Sequence, residues 1–120
     1  MKIYNIHSYK DFLCHVENKP NNLLILFVYK DDYIKDKNII TNFDNLSNKY
    51  SNLGIYFSAF NIDSDTDKSI ELIEKLDITF YPLIRIYKCT HLLYEISVLT
   101  NDSISNLEEY LELTYKTTIK

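Results

Sequence analysis

The hydrophobic pattern of the chain is clearest between residues 23 and 50. Seven consecutive hydrophobic residues, Leu23–Tyr29, predict a strand that is covered on both faces, as in a parallel or mixed sheet. After a polar turn, hydrophobic residues recur at i, i+4, i+7 and i+11, which predicts an amphipathic helix. This stripe consists of Ile39, Phe43, Leu46 and Tyr50. Polar residues occupy the opposite side of that helix, which we expect to face solvent: Lys37, Asn38, Asn45, Asn48 and Lys49.

A shorter strand and helix are predicted ahead of this pair. Residues 3–6 form a short apolar strand pattern, and Ser8 followed three residues later by Asp11 is typical of a capping box at a helix start. Pro20 cannot continue a helix, so we expect the helix to end before it. The side chains predicted to face inward from this helix are Phe12, Leu13 and Val16.

The second half of the chain predicts a helix between strands and then a hairpin. Residues 55–62, after the single Gly54, predict a third strand. The aspartate-rich residues 63–67 lead into a helix, because aspartate at a helix start binds free N–H groups. Residues 78–82 predict a loop, and residues 83–88 and 92–98 predict two strands joined across Cys89-Thr90-His91. The apolar residues carried by the helix are Ile70, Ile73 and Leu76.

A last amphipathic helix closes the chain. It is predicted from about residue 103 to residue 115, with Asn101 or Asp102 as its N-cap. Its apolar face consists of Ile104, Leu107 and Leu111. The predicted element order is therefore βαβαβαββα, which belongs to the α/β class.

Composition and charge narrow the function classes. The chain has 120 residues, 46% hydrophobic and 25% charged, which suits one globular domain spanning residues 1–120. No stretch approaches the roughly 20 apolar residues that a membrane span requires. The net charge is -4 and the lysines are spread along the chain, which argues against nucleic acid or an anionic membrane as partner. The first residues show no secretory signal, so we expect a cytoplasmic location.

The element order and several local matches resemble the thioredoxin-like superfamily over essentially the whole chain. Residues 24–50 can be laid without gaps on the strand and active-site helix of that family. Residues 60–63 (Phe-Asn-Ile-Asp) resemble its third strand, and Tyr81-Pro82-Leu83-Ile84 resembles its cis-proline loop and the strand that follows. The resemblance implies a mixed central sheet flanked by helices, and a cis peptide bond at Tyr81-Pro82.

In the same overlay, the residues that carry out the thiol–disulfide chemistry of the family are absent from this chain. Its two CxxC cysteine positions fall on Tyr33 and Asp36, the preceding tryptophan on Asp32, and its buried acid on Phe27. Thiol–disulfide exchange requires a thiolate, and a phenol titrating near ~10 forms no disulfide. The nucleophile, the resolving thiol and the acid are missing together. We therefore predict that residues 33–36, at the start of the active-site helix, catalyse no redox reaction, and that the protein needs no cofactor.

With thiol–disulfide exchange excluded, the resemblance still implies a binding function. In the family, the groove beside the cis-proline binds an extended peptide through the backbone of the preceding residue, here Tyr81. Aromatic residues favour interfaces, so we expect a protein or peptide partner at a site formed by Tyr33, Asp36, Phe80, Tyr81 and Pro82. The competing interpretation of the same residues is a vestigial corner that binds nothing.

Two other functions stay open at this stage. One is a thiol enzyme that works through Cys14 or Cys89, for instance by mixed disulfides with glutathione or with a partner chain. The two cysteines are too few for a disulfide framework, and we expect neither of them to lie close to Tyr33, at the start of the active-site helix. The other is a subunit of a larger assembly, which would resemble the spliceosomal thioredoxin-like or phosducin-like proteins.

Three weaker patterns are interpreted structurally. Residues 63–74 match a calcium loop at several positions, but Lys68 stands where glycine is required, so we expect a solvated turn with helix capping and no metal. The single arginine, Arg85, interrupts an apolar strand, and we expect its stem to pack under a helix with its head in water, or else to anchor a ligand. A two-residue turn would set Arg85 opposite Tyr94, whereas a three-residue loop would set it opposite Glu95. His7, His15 and His91 show no metal-ligand spacing.

Overall fold

The computed structural model describes residues 3–18, 23–30, 34, 37–50, 54–62, 67–98 and 101–119, without the side chains of 18, 101 and 114–119. Its elements follow the predicted order βαβαβαββα. The strands are β1 (Ile3–Asn5), β2 (Leu23–Tyr29), β3 (Ile55–Asn61), β4 (Leu83–Lys88) and β5 (His91–Ser97). The helices are α1 (Tyr9–Asn18), α2 (Asn38–Tyr50), α3 (Asp67–Lys75) and α4 (Asn101–Ile119). Among these described helices, none is long and apolar enough to cross a membrane.

The strands form one mixed sheet in the order β1-β3-β2-β4-β5. β2 lies at the centre, parallel to β3 and antiparallel to β4, and the β4–β5 hairpin completes one side. This position explains the uninterrupted apolar sequence of Leu23–Tyr29, since a central strand with helices on both faces buries both sets of side chains.

Each face of the sheet has its own hydrophobic core. The stripe predicted for α2 is buried against one face, where Phe43 packs on Phe27 with ring centroids 5.1 Å apart, and the apolar face of α4 joins it. α1 and α3 cover the other face, where Phe12 meets Tyr87 edge to face at 4.9 Å. The strand side chains alternate between the two cores, as the pleat of a sheet requires.

The start of α1 agrees with the predicted cap in most respects. Ser8 Oγ accepts a hydrogen bond from the Asp11 amide at 3.1 Å. The Asp11 carboxylate in turn accepts the amide of His7 at 3.2 Å, one residue earlier than the usual reciprocal bond. Phe12 and Val16 are buried, whereas Leu13 is half-buried.

Two details of the helices go beyond the sequence pattern. Ile70, one of the apolar residues of α3, is 52% exposed, and the buried positions of the helix are Ser69 and Leu72. α4 begins at Asn101, so Asn101 and Asp102 lie inside its first turn and do not precede it as caps. The packing of α3 on the sheet, which local sequence does not encode, decides which of its apolar residues are buried.

The β4–β5 hairpin is tighter than predicted and contains a bulge. Lys88 pairs with His91, which leaves a two-residue turn in which Cys89 has a positive φ of 55°. A regular ladder from that turn would place Tyr94 opposite Arg85. The register shifts between Ile86 and Tyr87, and Glu95 takes that place. The bulge thus pairs the single arginine with a carboxylate.

Candidate functional site at the Pro82 loop

The sheet register brings the Pro82 loop to the end of the central strand. Leu83, directly after Pro82, pairs with Val28 near the carboxyl end of β2. The loop thus lies at the end of β2 from which the chain continues toward α2. In open α/β sheets this edge, outside the carboxyl ends of strands, is where ligands usually bind.

The loop itself combines a buried anchor with an exposed aromatic side chain. The Tyr81–Pro82 peptide bond is cis, and Pro82 is buried. The Pro82 carbonyl accepts a hydrogen bond of 3.0 Å from the Val98 amide, which ties the loop to the end of β5. Tyr81 is half-buried, and Phe80 is 40% exposed. The loop therefore exposes aromatic surface, while a hydrogen bond from Val98 holds its backbone.

Three of the five predicted site residues can be placed. Phe80, Tyr81 and Pro82 come together on this loop, while Tyr33 and Asp36 lie outside the described residues. Ile34, between those two positions in sequence, is 4% exposed and belongs to the core cluster of α2 and α4.

Phe27, at the position that the overlay assigned to a buried acid, has apolar surroundings. Phe27 is 1% exposed and its ring lies 4.9 Å from that of Tyr29 and 5.1 Å from that of Phe43. A phenylalanine side chain carries no titratable proton, so it cannot assist proton transfer to or from a thiol.

The two thiols lie elsewhere in the fold. Cys14 is exposed on α1. Cys89 is half-buried in the hairpin turn that follows β4, whereas Pro82 precedes the other end of that strand. Both are free cysteines. The length of β4 therefore separates Cys89 from the Pro82 loop, and Cys14 belongs to a different element, α1.

The segment that leads into the loop ends α3 in a Schellman motif, which was not predicted from the sequence. The Ile78 amide binds the Ile73 carbonyl at 3.0 Å and the Asp77 amide binds the Glu74 carbonyl at 3.2 Å. Asp77 adopts a positive φ of 53°, as the residue after a helix end often does. Aspartate tolerates this left-handed conformation better than most residues, and that preference was the available signal.

Arg85 lies against this helix end, and its head is not in water, contrary to the expectation from sequence. The residue is 6% exposed. Its guanidinium donates to the Leu76 carbonyl, to the Asp77 carbonyl at 3.1 Å and to the Tyr87 hydroxyl at 3.0 Å. Nε donates to the Glu95 carboxylate at 2.5 Å. A charged residue facing inward on a strand was the signal that partners must surround it.

These partners also alter proton affinities. Burial lowers the pKa of Arg85, but its bonds to Tyr87 and Glu95 outweigh burial, and the net pKa lies above the ordinary value. Burial raises the pKa of the Tyr87 hydroxyl, and the Arg85 hydrogen bond offsets this only in part. The guanidinium therefore stays charged, and Tyr87 stays neutral, throughout the physiological range.

The metal patterns gain no structural support from the described residues. Residues 63–66 of the calcium-like segment lie outside them, and Glu74 is exposed on α3. Within the described part of the chain no three His, Cys, Asp or Glu side chains are close enough to hold an ion. His15 instead packs its ring 5.0 Å from that of Tyr4.

A groove of about 320 Å³ lies between α2 and α4, away from the Pro82 loop. The Lys49–Glu108 ion pair, 2.5 Å long, crosses it, so the two charges already satisfy each other. The lining residues are Asn42, Asn45, Leu46, Lys49, Ile104, Ser105 and Glu108.

Comparison with solved structures identifies the architecture. Spinach chloroplast thioredoxin f superposes with a TM-score of 0.73 at 16% identity, over 91% of this chain and 92% of that one. Plasmodium falciparum thioredoxin gives 0.72 at 19% identity, over 90% and 98%. The chain has the thioredoxin fold. A thioredoxin f2 solved in complex with ferredoxin:thioredoxin reductase gives 0.72 at 17% identity, over 92% and 96%.

The likeness is one of structure. The sequence matches no protein-family model and no curated protein. At identities of 19% and below, the shared thioredoxin fold carries over the arrangement of strands and helices, while activity depends on the residues at the site.

Proposed function

We propose that this chain is a redox-inactive thioredoxin-fold domain that binds an extended segment of a partner protein at the Pro82 loop. The observation that carries the proposal is Phe80, an exposed aromatic side chain on an anchored loop; the sequence adds the absence of cysteine at Tyr33 and Asp36, the positions that the family resemblance assigns to the two CxxC cysteines. The edge thus offers contact surface without a nucleophile.

The chemical part of the proposal follows from the requirements of thiol exchange. A reactive cysteine needs an environment that lowers its pKa, and a resolving thiol within bonding distance. Cys14 and Cys89 lie on α1 and on the hairpin turn, and neither has a second cysteine near it in sequence. We place the domain in the reducing cytoplasm, where such isolated thiols remain reduced.

The binding part of the proposal follows from the chemistry of the loop. Phe80 and Tyr81 supply large, rigid side chains that bury much area for little loss of rotamer entropy. One structural neighbour is a thioredoxin f2 in complex with ferredoxin:thioredoxin reductase, so a domain of this fold can present a surface to a protein partner.

An NMR titration tests where binding occurs. Extended peptides selected against the domain from a random phage-displayed library are added to labelled protein, and amide shifts are mapped. We expect the largest shifts at residues 79–83, with β1 and the hairpin turn unaffected. Shifts concentrated on α1, or on the groove between α2 and α4, would contradict the proposal.

The thiol-enzyme alternative retains one favourable observation, since Cys14 is exposed and open to reagents. Insulin reduction in the presence of a dithiol separates the two functions. We expect turnover no faster than that of the dithiol alone. Turnover that disappears in Cys14→Ser, or in Cys89→Ser, would establish the enzyme and overturn redox inactivity.

A further inference from the structure

Arg85 links the strand after Pro82 to the helix before it. It is the third residue after Pro82 on β4, and its guanidinium binds the carbonyls of Leu76 and Asp77, the two residues that follow α3. A cation at this position also complements the negative end of the helix dipole. One side chain thereby bonds β4 to the point where the chain leaves α3.

The loop is consequently fixed at both ends. At its far end the Pro82 carbonyl accepts the Val98 amide, and β4 begins at Leu83. At its near end the Arg85 bonds hold Leu76 and Asp77. Between these anchors, Ile78 and Tyr81 contact the core under α1 and α3, whereas Phe80 is 40% exposed and belongs to neither core cluster.

The bulge in the hairpin completes this arrangement. A bulge-free two-residue turn would set Tyr94 opposite Arg85, and the register shift sets Glu95 there. The Glu95 carboxylate binds Nε, which leaves both Nη atoms to the helix end and to Tyr87. Because a guanidinium is planar and forked, fixing Nε fixes the direction of the other donors.

We propose that Arg85 is a positioning residue that holds Phe80 and Tyr81 in the geometry that the partner segment binds. This inference rests on the proposed function of the Pro82 loop. Arg85 itself is buried and does not contact the partner. It acts through the carbonyls of Leu76 and Asp77, with Glu95 as the residue that orients it.

The test compares Arg85→Met with a variant that loses stability elsewhere. Leu111→Ala removes a fully buried side chain of α4 on the opposite face of the sheet, far in sequence from the loop. Hydrogen exchange at residues 78–81 is measured without peptide, and the Kd for a selected peptide is then measured for each variant.

We expect Arg85→Met to speed exchange at residues 78–81 at least tenfold more than at β2 amides, and to weaken peptide binding at least tenfold. Leu111→Ala should leave the Kd within about twofold of the wild type. The exchange rates and the Kd of Arg85→Lys should lie between those of the wild type and Arg85→Met, because one ammonium cannot reach both carbonyls and Glu95 together.

Equal Kd values for Arg85→Met and Leu111→Ala would overturn the inference, as would unchanged exchange in the loop. If the wild-type domain binds no peptide, the proposed function is overturned by that result. The exchange rates then decide separately whether Arg85 holds the loop.

Discussion

The orientation of α3 can be tested by a pair of alanine substitutions on the same helix. Leu72 has no exposed surface and packs in the core under α1 and α3. Ile70, another apolar residue of the same helix, is 52% exposed. Leu72→Ala should therefore destabilise the protein strongly, while Ile70→Ala should have little effect.

The expected magnitudes follow from burial. Leu72→Ala loses a fully buried side chain and leaves a cavity, which costs about 2–5 kcal/mol. Ile70→Ala loses roughly half of the ~2 kcal/mol that full burial of isoleucine provides. Alanine returns about 0.4 kcal/mol through its higher helix propensity, so the net loss is about 0.5 kcal/mol.

Urea unfolding followed by far-UV circular dichroism measures both values, and the absence of tryptophan makes this signal preferable to fluorescence. We expect the two free energies of unfolding to differ by about 1.5 kcal/mol or more. Ile73→Ala, at a half-buried position, should lie between them. Equal losses for Leu72→Ala and Ile70→Ala would refute this orientation of α3.

Three further predictions concern local features. Ser8→Ala should lower the free energy of unfolding by about 1 kcal/mol in the same urea assay, because the Asp11 amide loses its acceptor. Cys89→Gly should raise it by about 0.5–1 kcal/mol, since a positive φ strains a side-chain-bearing residue; a loss would contradict this. The raised pKa of Tyr87 means that stability is retained below pH ~10 and falls as pH rises through the folded-state value. Tyr87→Phe should reduce that alkaline loss above pH ~10, and an unchanged loss would assign it to other tyrosines.

Much of the fold could be predicted because its signals are local or periodic. The run Leu23–Tyr29 is the central strand, and the α2 stripe is buried along its length. The length of β4 also follows from the loop before it and the turn after it. These features depend on side-chain period and on turn residues, which sequence displays directly.

Other features depend on tertiary contacts that no local pattern contains. The side of α3 that faces the sheet is decided by packing, which buries Leu72 and leaves Ile70 exposed. The bulge that brings Glu95 to Arg85 adds one residue in a strand whose sequence gives no turn signal. At the site, Phe80, Tyr81 and Pro82 were found from the family resemblance, whereas the Arg85 contacts with the helix end required the structure.

Whether the Pro82 loop binds a partner segment can be decided by one comparison of affinities. Phe80→Ala and Leu92→Ala each truncate an exposed hydrophobic side chain, 40% and 47% exposed, and Leu92 lies on the hairpin away from the loop. For a selected peptide, we expect Phe80→Ala to raise the Kd about 5- to 30-fold, which corresponds to loss of an aromatic contact worth ~1–2 kcal/mol. Leu92→Ala should leave it unchanged. A Kd that is insensitive to Phe80→Ala, or more sensitive to Leu92→Ala, would place binding on another face of the domain and contradict the proposed function.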